Sequence, residues 1–343
     1  PATVDGYRAI LSTRMSEKQI ARSMSKQGAF KPFMDMVMGS LLMQGVDKME
    51  EMILWGQKPR GRATSSVNVS ATSTTIGFTT GYWSAGMWWF KQGAFISFFN
   101  ATTNAAVGTD ANKYTIVTVD TALKTLTLTG SATDISDLDT FLAGATDANI
   151  YFYGQFDGST SSEFAGISKF ATNTGTLFGI AASSYMLWNG MNKANLGTGI
   201  SFETIIKEVA DFSNKRFRGT LIVLLNPIQW GALMVDEAAL RRYDKSYAVT
   251  AENGFETINF HNQNGMLKIV SHPFELEGFC HIFPETALFR IGSQDLTTKH
   301  AGGTEPVIKS TENDGYRVCL YNDQAVAANT MMYFKEIGGI SLP

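Results

Sequence analysis

Four histidines, His261, His272, His281 and His300, are the side chains in this 343-residue sequence best suited to moving a proton or binding a transition metal. His272 and His281 flank a turn between two extended segments and can approach each other, but no third ligand is spaced as a zinc site requires. They read as structural or surface histidines. Cys280 and Cys319 show neither metal-ligand nor redox spacing, so they read as isolated buried thiols, with a long-range disulfide as the alternative. Asp236 and Glu237 are neighbours on a helical stretch and point about 100° apart, which is the wrong geometry for a paired acid and base. Glu275 and Glu277 share one side of an extended segment, where a cation site and a solvated strand edge explain them equally. The sequence contains no GxSxG elbow, no HExxH and no phosphate-binding glycine loop followed by Lys-Ser/Thr. No catalytic, metal-binding or cofactor-binding residue is assigned, and the expectation is a protein that is not an enzyme.

The densest chemical feature is aromatic. Trp83, Met87, Trp88, Trp89, Phe90, Phe95, Ile96, Phe98 and Phe99 fall within 17 positions. Such a cluster suits a carbohydrate platform or a base-stacking surface, but no row of basic residues and no acidic pair accompanies it. A packed core or a seam between subunits accounts for it better.

Composition points the same way. Charged residues are 17% of the chain, below the roughly 25% usual for soluble domains. With 23 Phe, 15 Met and 6 Trp, either extra surface is buried against other chains or the core composition is unusual. A formal net charge of −3 gives no support to sequence-specific nucleic-acid binding. The longest apolar runs fall short of eighteen residues, so no transmembrane helix is expected. The sequence opens PATVDGYRAIL without a basic-then-apolar leader, so no signal peptide is expected, and the start at Pro1 fits either a processed N-terminus or simple loss of Met.

The elements that must carry these residues are legible in part. Residues 31–55 show a broad apolar stripe at helical spacing, stopped by Gly56 and Pro59. Residues 61–82 are rich in Ser, Thr, Gly and Asn and read as a loop or short strands with little core. YTIVTVDTALKTLTLTG (114–130) reads as a hairpin and NIYFYGQF as another strand, so that about 95–160 form a small β-rich unit. Residues 164–200 are mostly loop and short helix. Ser201 caps a second helix. LIVLL (221–225) suits a strand buried on both faces, followed by Asn226-Pro227 opening a helix that runs toward Tyr243. Strands near 255–261, 266–271, 279–283 and 286–291 follow, and 316–321 and 330–337 are closing strands able to return to the sheet that carries 221–225. Residues 1–27 read as an extended arm or loose helix, suited to contact with a neighbouring subunit.

Three stretches in this order resemble the major capsid proteins of tailed double-stranded DNA bacteriophages, with the Hong Kong 97-type fold. KPFMDMVMGSLLMQGVDKMEEMILWG looks like the family's spine helix. SFETIIKEVADFSNKRFRGTLIVLLNPIQWGALM is similar to its helix–strand–Asn-Pro–helix segment, and NGMLKIVSHPFELEGFCHIFPETALFRIG to a strand–turn–strand of its axial domain; TLFGIAASSYMLWNG is also similar. The resemblance implies an α+β fold with an N-terminal arm or extended loop at 1–30, the spine helix and start of the peripheral domain at 31–94, and a β-rich insertion at 95–160 that the minimal family fold lacks. It further implies a peripheral domain at 161–221, an axial domain at 222–300 and closing peripheral strands at 301–343. It implies assembly rather than catalysis. The partners would be many copies of the chain in hexamers and pentamers, a portal protein, scaffolding and cement or decoration proteins, and packaged double-stranded DNA held without sequence specificity, with no membrane. The place would be the virion, after assembly in the host cytoplasm. The competing readings are a carbohydrate-binding surface protein that uses Trp83–Trp89, an α/β enzyme with a site formed only in the fold, and a bacterial encapsulating nanocompartment.

Overall fold

The computed structural model describes residues 3–4, 6–16, 33–235, 257–262, 265–298, 307–309 and 315–342. Along the chain lie β1 (Tyr7–Ser16), α1 (Phe33–Trp55), β2 (Gly61–Ser70), β3 (Ser73–Phe78), α2 (Ala85–Trp88), β4 (Phe95–Asn100), β5 (Tyr114–Asp120), β6 (Thr125–Thr129), α3 (Ala132–Ala143) and β7 (Ala148–Phe152). Next come α4 (Ile167–Ala171), β8 (Thr176–Leu177), β9 (Ile180–Ala181), a 3-10 turn at Met186–Trp188, β10 (Met191–Lys193), α5 (Phe202–Asn214), β11 (Leu221–Leu225) and α6 (Pro227–Val235). The last strands are β12 (Thr257–Asn262), β13 (Gly265–Ser271), β14 (Cys280–Pro284), β15 (Leu288–Thr297), β16 (Val307–Lys309), β17 (Gly315–Ala328) and β18 (Lys335–Ile337). This is an α+β fold with a closed β-barrel.

The long helix expected at 31–55 is α1, 23 residues and therefore about 34 Å. Leu41, Met49, Met52, Leu54 and Trp55 are buried on its inner side. Of the two glycines that interrupt its stripe, Gly45 has a packing role, since a Cβ there would come within 2.5 Å of Leu320 Cδ2, whereas Gly39 faces open space. Gln57 takes a left-handed backbone (φ 63°) and ends the helix. Gly56 is needed for a close approach instead: a Cβ on it would stand 2.3 Å from the carbonyl oxygen of Phe164.

The barrel closes in the order β2–β3–β6–β5–β4–β7. Its strands therefore begin at Gly61, so the Ser/Thr-rich stretch at 61–78 is strand and not loop. That stretch gave little sign of core because only alternate positions of a strand face inward, and here the inward ones include Ala63, Thr74 and Ile76 against Leu126, Leu128, Ile116 and Ile150. Helix α3 packs Ile135, Leu138 and Leu142 into the same core, with Ser131 Oγ accepting from the Asp134 amide at its start.

A six-stranded sheet, β10–β18–β14–β11–β13–β12, carries the LIVLL strand near its centre. Leu221, Val223 and Leu225 are fully buried in one core with α5, while Ile222 and Leu224, half-buried, pack against the other, so the strand separates two cores as its uninterrupted apolar run suggested. Asn226 Oδ1 accepts from the Ile228 amide at 3.0 Å, with Pro227 in the first turn of α6. The continuation of this helix beyond Val235, with Asp236 and Glu237, lies outside the described residues, as does His300. Of the closing strands, β18 joins this sheet but β17 does not: it pairs with β15, β16 and, over ten residues, with β1 of the same chain. The N-terminal segment is thus a strand within its own chain at Tyr7–Ser16.

Helix α5 offers a simple test of the local reading. Ser201 Oγ accepts from the Thr204 amide at 3.2 Å, so Ser201→Ala is expected to cost about 1 kcal/mol, read as a lower urea midpoint at unchanged slope.

Candidate functional site

Two buried charge clusters hold the fold together. The first lies where α1 meets the barrel. Arg60, fully buried just before β2, donates from Nε to Glu51 of α1 (2.8 Å), from Nη2 to Glu163 after the barrel (2.5 Å), and from Nη1 to the carbonyls of Trp55 (2.7 Å) and Lys58 (2.6 Å). Lys48 lies 3.3 Å from Glu163 and 3.7 Å from Glu51, and Lys91, at the entrance to β4, also pairs with Glu51. Burial pushes the Glu51 carboxyl up, but Lys48, Lys91 and Arg60 outweigh it and hold the pKa down at about 2. For Lys48, burial wins over Glu51 and Glu163 and lowers it. Both ammonium groups also sit 4.5 Å from the centre of the Phe152 ring. The cluster clamps the barrel's entrance and exit to the long helix.

The second cluster is centred on His281 of β14. Its Nδ1 is 2.9 Å from Glu275 and its Nε2 is 3.0 Å from Glu336 of β18, and Ser168 of α4 donates to the same Glu336 oxygen. Both ring nitrogens face carboxylates, so the ring is an imidazolium. Burial pulls its pKa down, yet Glu275 and Glu336 raise it to about 10. Glu336 is itself lowered, its burial being outweighed by His281. The Trp55 ring stands edge-on, 5.3 Å from the imidazole.

His272 does not meet His281: its Nδ1 accepts from the Phe274 amide (3.2 Å), so the proton is on Nε2, which donates to Glu50 of α1 at 3.0 Å. Glu275 and Glu277 are not on a solvated edge. Both are buried, because their segment folds back under the barrel, with the Glu277 amide donating to Trp83 O and the Gly278 amide to Gly81 O. Glu277 instead holds Lys124, from the β5–β6 turn, at 2.6 Å. Cys280 and Cys319 are free and buried, and burial raises the Cys280 thiol well above its ordinary value. Only the backbone of His261 is described, in β12. Among the described residues no group of three or more His, Cys, Asp or Glu is placed to hold a metal ion, and no helix is long and apolar enough to cross a membrane.

The aromatic cluster divides. Trp83, Met87, Trp88, Ile96, Phe98 and Phe99 are buried, as the packed-core reading expects, so the competing Trp83–Trp89 stacking platform does not exist as a surface; Trp89, Phe90 and Phe95 remain outside, Phe90 at 81% exposure. Another apolar display lies on α1. Met36, Leu42, Met43 (71% exposed) and Val46 are exposed on the first half of this helix, on the part of its circumference that Leu41 and Gly45 do not fill. A third display is Tyr185, Met186 and Leu187, exposed on a turn whose backbone is fixed by Met331, Met332 and Thr330 donating to Leu187 O.

No protein-family model and no curated protein matches the chain. Solved structures show distant structural similarity. One is the capsid asymmetric unit of cyanophage A-1(L), at 14% identity and a TM-score of 0.37, over 53% of this chain and 61% of that one. The holo-SrpI encapsulin complex from Synechococcus elongatus PCC 7942 is matched at 10% identity and 0.33, over 47% and 59%. A virus-like particle from Pyrococcus furiosus is matched at 12% identity and 0.24, over 39% and 49%. In each case the match spans less than two thirds of the other chain.

Proposed function

We propose that this chain is the subunit of a self-assembling closed shell, a capsid-type container around double-stranded DNA, and catalyses no reaction. The observation that carries the reading is the outer side of α1. A helix that already fills a core with one side carries Met36, Leu42, Met43 and Val46 in water on the other. Covering the exposed part of each such side chain is worth about 1–2 kcal/mol, and repeated contacts between identical copies supply that cover. The resemblance of α1, the α5–β11–α6 segment and the β13–β14 segment to tailed-phage capsid proteins adds the choice of container. On that reading the copies are arranged as hexamers and pentamers with a portal protein, the site is the virion, and the low charge and many aromatic residues serve contacts between copies.

The test is a pair of substitutions on the exposed side. Leu42→Asp with Met43→Asp is expected to abolish particles in negative-stain images while leaving the circular-dichroism spectrum of the subunit unchanged. Particles of unchanged size and yield would remove the support. If particles form, nuclease-resistant DNA inside them marks a viral container, and a protein cargo marks a nanocompartment.

A further inference from the structure

Lysines that lean toward the interior of this fold are paired. Lys48, Lys91, Lys124, Lys193 and Lys335 each meet a carboxylate. Lys58 and Lys169 differ. Both are half-buried, and among the described residues neither ammonium group has an ion-pair or hydrogen-bond partner. Holding an ammonium partly out of water without a counter-charge is costly, and a second one beside it adds repulsion.

The backbone sets the two side by side. Lys58 follows the last turn of α1 and Lys169 belongs to α4, and these segments touch through glycines. The Gly166 amide donates to the Gly56 carbonyl at 3.1 Å, and a Cβ on Gly166 would stand 2.6 Å from the Gly56 nitrogen. Both lysines sit on fixed backbone. The Lys58 amide donates to Trp55 O at 2.9 Å and its carbonyl accepts from Arg60 Nη1 at 2.6 Å. Every residue of α4 other than Lys169 is buried. Burial lowers the Lys58 ammonium, Glu336 opposes that, and Lys169 adds to the fall; burial lowers Lys169 as well. Glu336 acts on Lys58 only at longer range, and its Oε2 is already taken by Ser168 and by His281 Nε2 at 3.0 Å.

Two ammonium groups fixed in this way attract an anion and recover on binding it what burial and mutual repulsion cost them. The shape of the anion follows from the two separate elements that supply the donors. A carboxylate offers two oxygens in one plane, whereas a phosphate group offers three in different directions and carries up to about two negative charges. We propose that Lys58 and Lys169 form a binding site for a phosphate group, either inorganic phosphate or a phosphate monoester, at the junction of α1 and α4. The site goes beyond the shell reading and does not rest on it.

Isothermal titration calorimetry of the full chain with inorganic phosphate, in chloride buffer of matched ionic strength, is expected to show one saturable site per chain. Lys58→Met and Lys169→Met are each expected to weaken it roughly tenfold or more. Lys113→Met is expected to leave it unchanged, since that ammonium lies on the barrel, 3.9 Å from the centre of the Phe95 ring. Adenosine monophosphate in place of phosphate separates the two sources: tighter, lysine-dependent binding marks a monoester as the occupant, and equal binding marks the free ion. Thermal melting distinguishes binding from a structural role. In chloride the two variants are expected to melt no lower than the parent, because they remove unpaired charge, and phosphate should raise the parent's midpoint but not theirs. Heats that do not saturate, or equal affinity in the parent and both variants, would overturn the proposal. So would variants that melt below the parent in chloride and still gain as much from phosphate. None of these results bears on particle formation, so the shell reading stands or falls separately.

Discussion

Replacing Arg60 by methionine is expected to destabilise the protein by about 3–5 kcal/mol, the cost of breaking a buried ion pair by removing one partner. Four of the five N–H donors of this guanidinium are engaged, two by carboxylates and two by carbonyls, all out of water. Methionine keeps the apolar stem and removes every one of these donors. Glu163 and Glu51 would be left with lysines alone, and the carbonyls of Trp55 and Lys58 would lose their partner. Because Arg60 and Glu163 flank the barrel, separation of the barrel from α1 should precede global unfolding, seen as faster amide exchange at 57–63 and 160–166. Arg60→Lys is expected to recover little, since one ammonium cannot reach two carboxylates and two carbonyls in the planar fork that Arg60 uses. The linkage also has an acid limb. Glu51 is held at about 2, below its ordinary 4.5, so its contribution is present above pH 4.5 and is lost as pH falls toward 2. A urea midpoint for Arg60→Met within experimental error of the parent would refute the clamp.

The second large effect is alkaline. His281 is raised from 6.5 to about 10 by Glu275 and Glu336, so the stability it contributes is complete below pH 6.5 and drains away as pH rises through about 10. The parent protein should therefore lose stability steadily across that window. His281→Gln keeps a hydrogen-bonding side chain but no positive charge, leaving two buried carboxylates unpaired. A loss of about 3–5 kcal/mol at pH 7 is expected, with the decline between pH 6.5 and 10 flattened. The slope is the informative readout, because loss of packing alone would lower the whole curve without changing its shape. A parent and variant with parallel stability–pH curves would show that His281 is neutral in the fold.

Periodicity explains what was legible beforehand. Helix α1, α5 with its Ser201 cap, and the LIVLL–Asn-Pro junction each carry a repeat of 3.6, or an apolar run with punctuation, that few other structures satisfy. The barrel was half visible. Its hairpin at 114–130 alternates Ile, Val and Leu with Thr, but β2 and β3 are built from Ser, Thr and Gly with few inward apolar positions, and their strand character comes from neighbours rather than from their own composition. Neither charge cluster was visible. Arg60 and Glu163 are 103 positions apart, and His281 lies 55 positions from Glu336, distances that no local spacing rule spans. Glu275 and Glu277 were misread because alternation gives a shared side but not whether that side meets water. The exposed side of α1 had one sign in the sequence, a stripe too wide for a helix with only one covered face.

On the proposed function, identical copies cover this chain's exposed apolar surface in a closed container. Sedimentation velocity of the purified, unaltered chain tests it most directly. A uniform boundary of megadalton particles that disappears on Leu42→Asp with Met43→Asp is the predicted result. A single sharp boundary at the 37.5 kDa of one chain, unchanged as concentration rises a hundredfold, would contradict it.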